Sequence, residues 1–186
     1  MSVDTLDFYT LDRSTSANLV LSCAGDYRDA TGSSRGISNE IDRAHLVRLR
    51  RQAGAVVTDG ATARIENYAP RASFETYIFS RDVNTENRLT FTKAAELQDV
   101  VNRIQAKHER TLFETGPRVL RQLLEASAID ALFVSIVHGL PCQPSHFELE
   151  WNRALVANFL QLPSYVGYQV GQIDKTVLLR FDFGVA

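Results

Sequence analysis

The sequence predicts a single α/β domain of three layers: a mostly parallel central sheet, helices on both faces and an antiparallel C-terminal hairpin. Three observations carry that prediction. Apolar runs of strand length alternate with segments of helical period along most of the chain. Near the C-terminus the pattern changes to a period of two, as Leu179, Phe181 and Phe183 alternate with Arg180 and Asp182. No internal repeat, low-complexity stretch or Pro/Gly linker divides the 186 residues.

The elements follow in order. Asn18–Cys23 is the first apolar run, read as a buried strand, and the polar stretch Gly25–Gly36 is a loop. Ser38 is placed to cap a helix running to about Gln52, with Gly54 ending it. Ala55–Thr58, Thr76–Phe79 and Arg88–Phe91 read as strands. Between Lys93 and His108, Leu97, Val100, Val101 and Ile104 share one helical face. Thr111–Phe113 is a short strand, and Pro117 opens a helix carrying Leu120, Leu123 and Leu124, a first-turn position that proline tolerates well. Leu132–Val137 is a strand, a loop contains Pro141 and Pro144, and Glu150–Phe159 is a helix. The hairpin strands are Tyr165–Val170 and Thr176–Phe183, with Gly171–Asp174 as their loop. The core spans 17–183, with 1–16 as an N-terminal extension.

Composition narrows the function. Twenty basic residues face 22 acidic ones, for a net charge of −2, and no basic run marks a nucleic-acid partner. No apolar stretch has the length of a membrane span or the form of a signal peptide, so a cytoplasmic location is expected. Cys23 and Cys142 stand far apart without a CxxC partner, which fits a reduced protein. His45, His108, His138 and His146 lack metal-ligand spacing, so no zinc is expected. Seventeen of the basic residues are Arg, the side chain suited to bidentate phosphate contacts; genome composition produces the same bias. Gly32-Ser-Ser-Arg-Gly36 has the letters GxSxG but lies in a polar loop rather than at a strand-to-helix elbow, and no nucleophile stands beside a base.

Three small-residue loops carry the candidate chemistry. In Thr111-Leu-Phe-Glu-Thr-Gly-Pro-Arg-Val-Leu120 a strand ends, Gly116 turns and a helix begins. Unpaired N–H groups and the positive end of the helix then face whatever sits above the sheet edge, and phosphate is a natural guest. Thr58-Asp-Gly-Ala-Thr-Ala-Arg-Ile-Glu-Asn67 offers Gly60 for close approach and Thr62 and Arg64 as donors; the plainer reading is a capped surface turn. Gly32-Ser-Ser-Arg-Gly-Ile-Ser38 is the third. None matches GxGxxG or GxxxxGK[ST]. The cluster Arg48, Arg50 and Arg51 reads as a solvated helix face from which one side chain could reach a ligand.

Taken in order, Ser22-Cys-Ala-Gly25, Gly32–Ser38, Gly60–Asn67, Glu114-Thr-Gly-Pro117 and Ile129-Asp-Ala-Leu132 resemble the reductase domain of the bifunctional riboflavin-biosynthesis deaminase–reductase. The resemblance covers about residues 17–183 and implies a dihydrofolate-reductase-like fold. It also implies NADPH as cofactor, a phosphoribosylamino-pyrimidine as substrate, hydride transfer to the ribosyl carbon, and a homodimer. By position, Thr62, Glu66, Ser80 and Gly36 would lie along the cofactor. Gly116, Pro117, Arg118, Val119 and Leu120 would cradle its pyrophosphate. Ser34 and Arg50 would meet the substrate and its phosphate, with Glu114 at the reacting carbon as the candidate catalytic group. The deaminase half, with its zinc ligands, has no counterpart. Four positions depart from the family: Ala24 replaces Asp, Gly36 replaces Trp, Thr115 replaces Gly and Tyr68 replaces Pro. They leave two functions open: a reductase of this or another small heterocycle, or a ligand-binding relative that has lost catalysis.

Overall fold

A computed structural model of the protein describes residues 7–66, 73–80, 88–90, 94–139 and 148–184. The order is β1 (Thr15–Ser22), α1 (Glu40–Gln52), β2 (Ala55–Asp59), α2 (Gly60–Ile65), β3 (Glu75–Phe79), β4 (Arg88–Leu89), α3 (Ala94–Gln105), β5 (Thr111–Glu114), α4 (Pro117–Glu125), β6 (Ala131–Val137), α5 (Leu149–Leu160), β7 (Gly167–Ile173) and β8 (Thr176–Asp182). The strands form one eight-stranded sheet in the order β4-β3-β2-β5-β1-β6-β8-β7. All pairings from β4 to β6 are parallel; β6–β8 and β8–β7 are antiparallel.

Alternation along each central strand builds two cores. Ala55 and Val57 of β2, Phe113 of β5, and Leu132, Val134 and Ile136 of β6 face α3, α4 and α5. On that side Leu97, Val100, Val101 and Ile104 of α3 pack with Leu120, Leu123 and Leu124 of α4. Val56, Leu112 and Phe133 point to the opposite face, where α1 contributes Leu49. One helix covers that face incompletely. Tyr9 and Leu11, both fully buried, fill the remainder, so these residues ahead of β1 are part of the core. It is pinned by Arg180, which donates to the Phe8 carbonyl (3.0 Å) and to Asp12 (2.6 Å), and by Gln52, which accepts from the Leu11 N–H (2.8 Å).

Several expectations are corrected. The cap of α1 is Asn39, whose side chain accepts from the Asp42 N–H at 3.0 Å, while Ser38 bonds Asp42 instead. The stretch after β2 is not a loop but the short helix α2, because the Asp59 side chain satisfies its first N–H groups. The hairpin turns at Asp174 and Lys175, not at Gly171–Asp174. Asp174 adopts φ +48°, which aspartate tolerates, and Gly171 pairs with Leu178 inside the ladder. Cys23 is held in a disulfide rather than as a thiol; spacing along the chain does not report distance in space. Tyr68, Cys142, His146 and the loop with Pro141 and Pro144 lie outside the described residues. Among the described residues no helix is long and apolar enough to cross a membrane, and no cluster could hold a metal ion.

Candidate functional site

The register of β1 creates the site. Thr15–Ala17 pair with Thr111–Phe113 of β5, and there that pairing stops. β1 continues beside β6 as far as Ser22, so β1 and β5 part company after Ala17. A cleft of about 1430 Å³ lies there, lined by Asn18, Leu19 and Val20 of β1. It extends over the C-terminal ends of β2, β3 and β5, the edge where parallel sheets commonly bind ligands. Asp42, Leu46 and Arg50, spaced four apart, bring one face of α1 to its wall. Six arginines and four carboxylates line it, which makes the lining net positive.

Arg50 and Glu114 meet as a bidentate pair in which the carboxylate is buried and the guanidinium partly so. Arg50 Nε donates to Glu114 Oε1 at 2.7 Å and Nη2 to Oε2 at 2.5 Å; Glu114 is 7% exposed. Burial pushes the Glu114 carboxyl above its ordinary range, and the Arg50 guanidinium opposes that shift. The Glu114 carbonyl accepts from the Thr58 hydroxyl at 2.9 Å, which ties the ends of β2 and β5 together. Both oxygens of the candidate catalytic carboxylate are therefore committed to Arg50, and the guanidinium expected to meet a substrate phosphate is committed to Glu114.

The turn at Gly116 begins α4 without a side-chain cap of its own. Its N–H is not open, however: it donates to Asp59 Oδ2 at 2.6 Å. The same oxygen accepts from the Thr62 hydroxyl at 3.0 Å, and Oδ1 accepts from the N–H groups of Ala61 and Thr62, each at 2.9 Å. Thr115, 5% exposed, is among the lining residues, and its hydroxyl is buried without a hydrogen-bond partner.

A third cluster organises the rim. Glu66 Oε1 accepts from the Ser33 hydroxyl (3.0 Å) and from the Ser34 N–H (2.9 Å) and hydroxyl (3.0 Å); Arg35 faces Oε2 at 3.4 Å. Burial works against it, but the Ser34 N–H, the two hydroxyls and Arg35 hold Glu66 below the usual carboxylate range. Asp29 folds the same loop by accepting from the Thr31 hydroxyl, the N–H groups of Thr31 and Ser33, and the Gly36 N–H at 3.1 Å. Asp42, 3% exposed, bonds the Ser38 hydroxyl at 2.5 Å, and burial raises its carboxyl despite the Ser38 and Ser135 hydroxyls.

Most of the sequence-derived positions converge here. Ser34, Arg50, Thr62, Glu66, Ser80, Glu114, Gly116, Pro117, Arg118 and Val119 all line the cleft. Two do not. Gly36 is turned against Asp29, whose carboxylate occupies the space a side chain would need, and Leu120 is 1% exposed in the core. Ala24 lies outside the cleft lining, in the turn after β1, so that departure is not a pocket change. Asp59, Asp29 and Asp42 were missed as organisers. For Asp59 the signal was present, as an acidic residue directly before the small residues of a helix start.

No protein-family profile matches the chain, and no curated protein matches its sequence. Solved structures do match. A pyrimidine reductase-like protein from Corynebacterium diphtheriae is 15% identical, with a TM-score of 0.63 over 95% of this chain and 94% of that one. The diaminohydroxyphosphoribosylaminopyrimidine deaminase/5-amino-6-(5-phosphoribosylamino)uracil reductase of Thermotoga maritima is 12% identical, with a TM-score of 0.61. That match covers 92% of this chain and 57% of that longer one. Dihydrofolate reductase from Enterococcus faecalis, complexed with NADP(H), is 14% identical, with a TM-score of 0.56 over 91% of this chain and 95% of that one. The chain therefore has the dihydrofolate-reductase-like fold.

Proposed function

We propose that the protein is a reductase that binds NADPH in the cleft between β1 and β5 and reduces a phosphoribosylamino-pyrimidine, or a related small heterocycle, at its ribosyl carbon. The observation that carries this reading is the cleft itself: it opens over the strand ends of a reductase-type fold and gathers most of the residues that the family resemblance points to. A homodimer belongs to the same proposal.

The residues fit a dinucleotide in size and charge. Arg28, Arg43, Arg64 and Arg118 supply cations for phosphates. The fit is poorest at Gly116, whose N–H is already bonded. A bound nicotinamide would supply hydride; the chain supplies alignment and charge. Thr62 and Gly116 to Val119 would flank the cofactor, and Ser34 and Arg50 the substrate. Arg50 is held rigid by Glu114, so the pair acts by orienting the wall of the cleft. Proton delivery fits Asp42 better than Glu114, because Asp42 lines the same cleft and bonds the Ser38 hydroxyl, whereas both Glu114 oxygens are bonded to Arg50.

Calorimetric titration with NADPH and NADH, followed by turnover of the phosphoribosylamino-pyrimidine, tests the proposal. Micromolar binding of one dinucleotide with measurable oxidation supports it; absence of binding by either sinks it. The other reading, a ligand-binding relative without catalysis, is favoured by one observation, the occupation of Gly116 by Asp59.

A further inference from the structure

Four donors from two helix starts converge on one carboxylate. Asp59 accepts the Ala61 and Thr62 N–H groups, the Thr62 hydroxyl and, from 57 residues away, the Gly116 N–H. The first three are ordinary capping of α2. The fourth is not local: it is the N–H of Gly116, the residue that precedes and caps α4, at 2.6 Å the shortest of the set, reached across the β2–β5 pairing. Backbone N–H groups at a helix start, together with a hydroxyl, make the donor set that a phosphate oxygen uses. Here that set is filled by an anion belonging to the chain.

Two further features fit this substitution. A side-chain carbon at Gly116 would come 3.3 Å from Asp59 Oδ2, so the turn closes tightly on the carboxylate. Beside it Thr115, a residue of the cleft lining, keeps a buried hydroxyl with no hydrogen-bond partner, one residue from the occupied N–H.

We propose that Asp59 is the specificity-determining residue of the cleft: it stands in for a ligand phosphate at the Gly116 turn and holds that turn closed to phosphate. The cleft then favours ligands that present an uncharged group at Gly116 and direct their phosphates to the arginine rim. A dianion brought to Gly116 meets a fixed negative charge at hydrogen-bond range and finds its donor already used. Removing the charge while keeping a capping oxygen opens the turn. The inference deepens the dinucleotide reading, since it concerns the same cleft, but its test does not require that reading.

The experiment titrates inorganic pyrophosphate into the wild type and Asp59→Asn by calorimetry, while the Thr115 and Gly116 amides are followed by NMR. Asparagine caps helices as well as aspartate does, so the fold is retained. Asp59→Ser, also a capping residue, serves as the second variant should Asn fail to fold. The expected result is pyrophosphate affinity about tenfold or more higher in the variant, with the Gly116 amide shifting on binding. Reduced nicotinamide riboside, which has no phosphate, should bind both proteins within twofold. Equal pyrophosphate affinity in folded wild type and variant overturns the inference. NADPH separates the two ideas. If the variant gains pyrophosphate but neither protein binds NADPH, Asp59 keeps its role and the reductase reading falls. If both bind NADPH equally and pyrophosphate affinity is unchanged, the reductase reading stands and this inference falls.

Discussion

Asp59 and Glu114 end adjacent strands, are 8% and 7% exposed, and line the same cleft, yet they are satisfied in opposite ways. Asp59 meets backbone N–H groups and a hydroxyl, all neutral. Glu114 meets the charged guanidinium of Arg50, delivered from α1 on the other side of the cleft. The contrast teaches what each carboxylate is for. The first is bound into secondary structure and holds two helix starts in place; the second is a tertiary strut that joins the wall to the floor. It follows that losing either carboxylate should leave a different wound, and the two can be told apart by measurement.

The largest effect is expected at Glu114. Glu114→Gln removes the closest carboxylate from a partly buried Arg50; breaking a fully buried pair typically destabilises by about 3–5 kcal/mol, and the partial exposure of Arg50 sets this change near the lower end. Denaturant unfolding should register this, and replacing both partners with apolar side chains of similar size should restore most of it. If Glu114→Gln unfolds at the wild-type midpoint, the pair is not the strut described here. Should that variant instead keep its stability and lose turnover, Glu114 returns to the role of catalytic group.

Asp59→Ala comes next. It removes the cap of α2, which is worth about 0.5–2 kcal/mol, and leaves the Gly116 N–H without an acceptor, a further about 1–3 kcal/mol if no water replaces it. Hydrogen exchange should show faster exchange at Ala61, Thr62 and Gly116 together. Acceleration confined to α2 would mean that α4 does not depend on Asp59.

A smaller effect separates the rim from the floor. Glu66 has its carboxyl depressed in the folded protein, so the stability it lends is present at neutral pH and lost as pH falls through that lowered value. The loop of Ser33 and Ser34 should therefore loosen at acid pH, below the ordinary carboxylate range, seen as loss of Ser34 amide protection. Glu66→Gln should abolish that pH dependence. An unchanged acid response in the variant would assign the effect to another carboxylate, Asp29 being the nearest candidate in the same loop.

The smallest effect is predicted for Thr115→Val, which replaces an unpartnered buried hydroxyl with a methyl group at nearly equal volume. Stability should be unchanged or higher by up to about 1 kcal/mol, measured by thermal unfolding. A clear loss would reveal a partner for that hydroxyl in solution.

Much of the fold was legible in residue patterns because it rests on local periodicity. The face of Leu97, Val100, Val101 and Ile104 placed α3, and Pro117 after Gly116 placed the start of α4. The alternation around Leu179 and Phe181 placed β8. Errors arose where a single residue type was read without its partner. Gly171 suggested a loop but lies in a strand, and Ser38 suggested the cap of α1 but bonds Asp42 while Asn39 caps the helix. In the site, the members were legible and their pairing was not: Arg50 and Glu114 were both singled out, each for a ligand, and they meet each other.

By itself the sequence determined the alternation of strand and helix, the helix start at Pro117, and the set of polar residues available to a cleft. Each of these depends on neighbours within a turn or two of the chain, where backbone geometry and periodicity act directly. Only the tertiary structure decided where the cleft opens and which donors remain for a ligand. The parting of β1 from β5, the Asp59–Gly116 bond and the Arg50–Glu114 pair all depend on strand order and register. They join groups 57 and 64 residues apart in the last two cases, and no local preference encodes a partner at that distance.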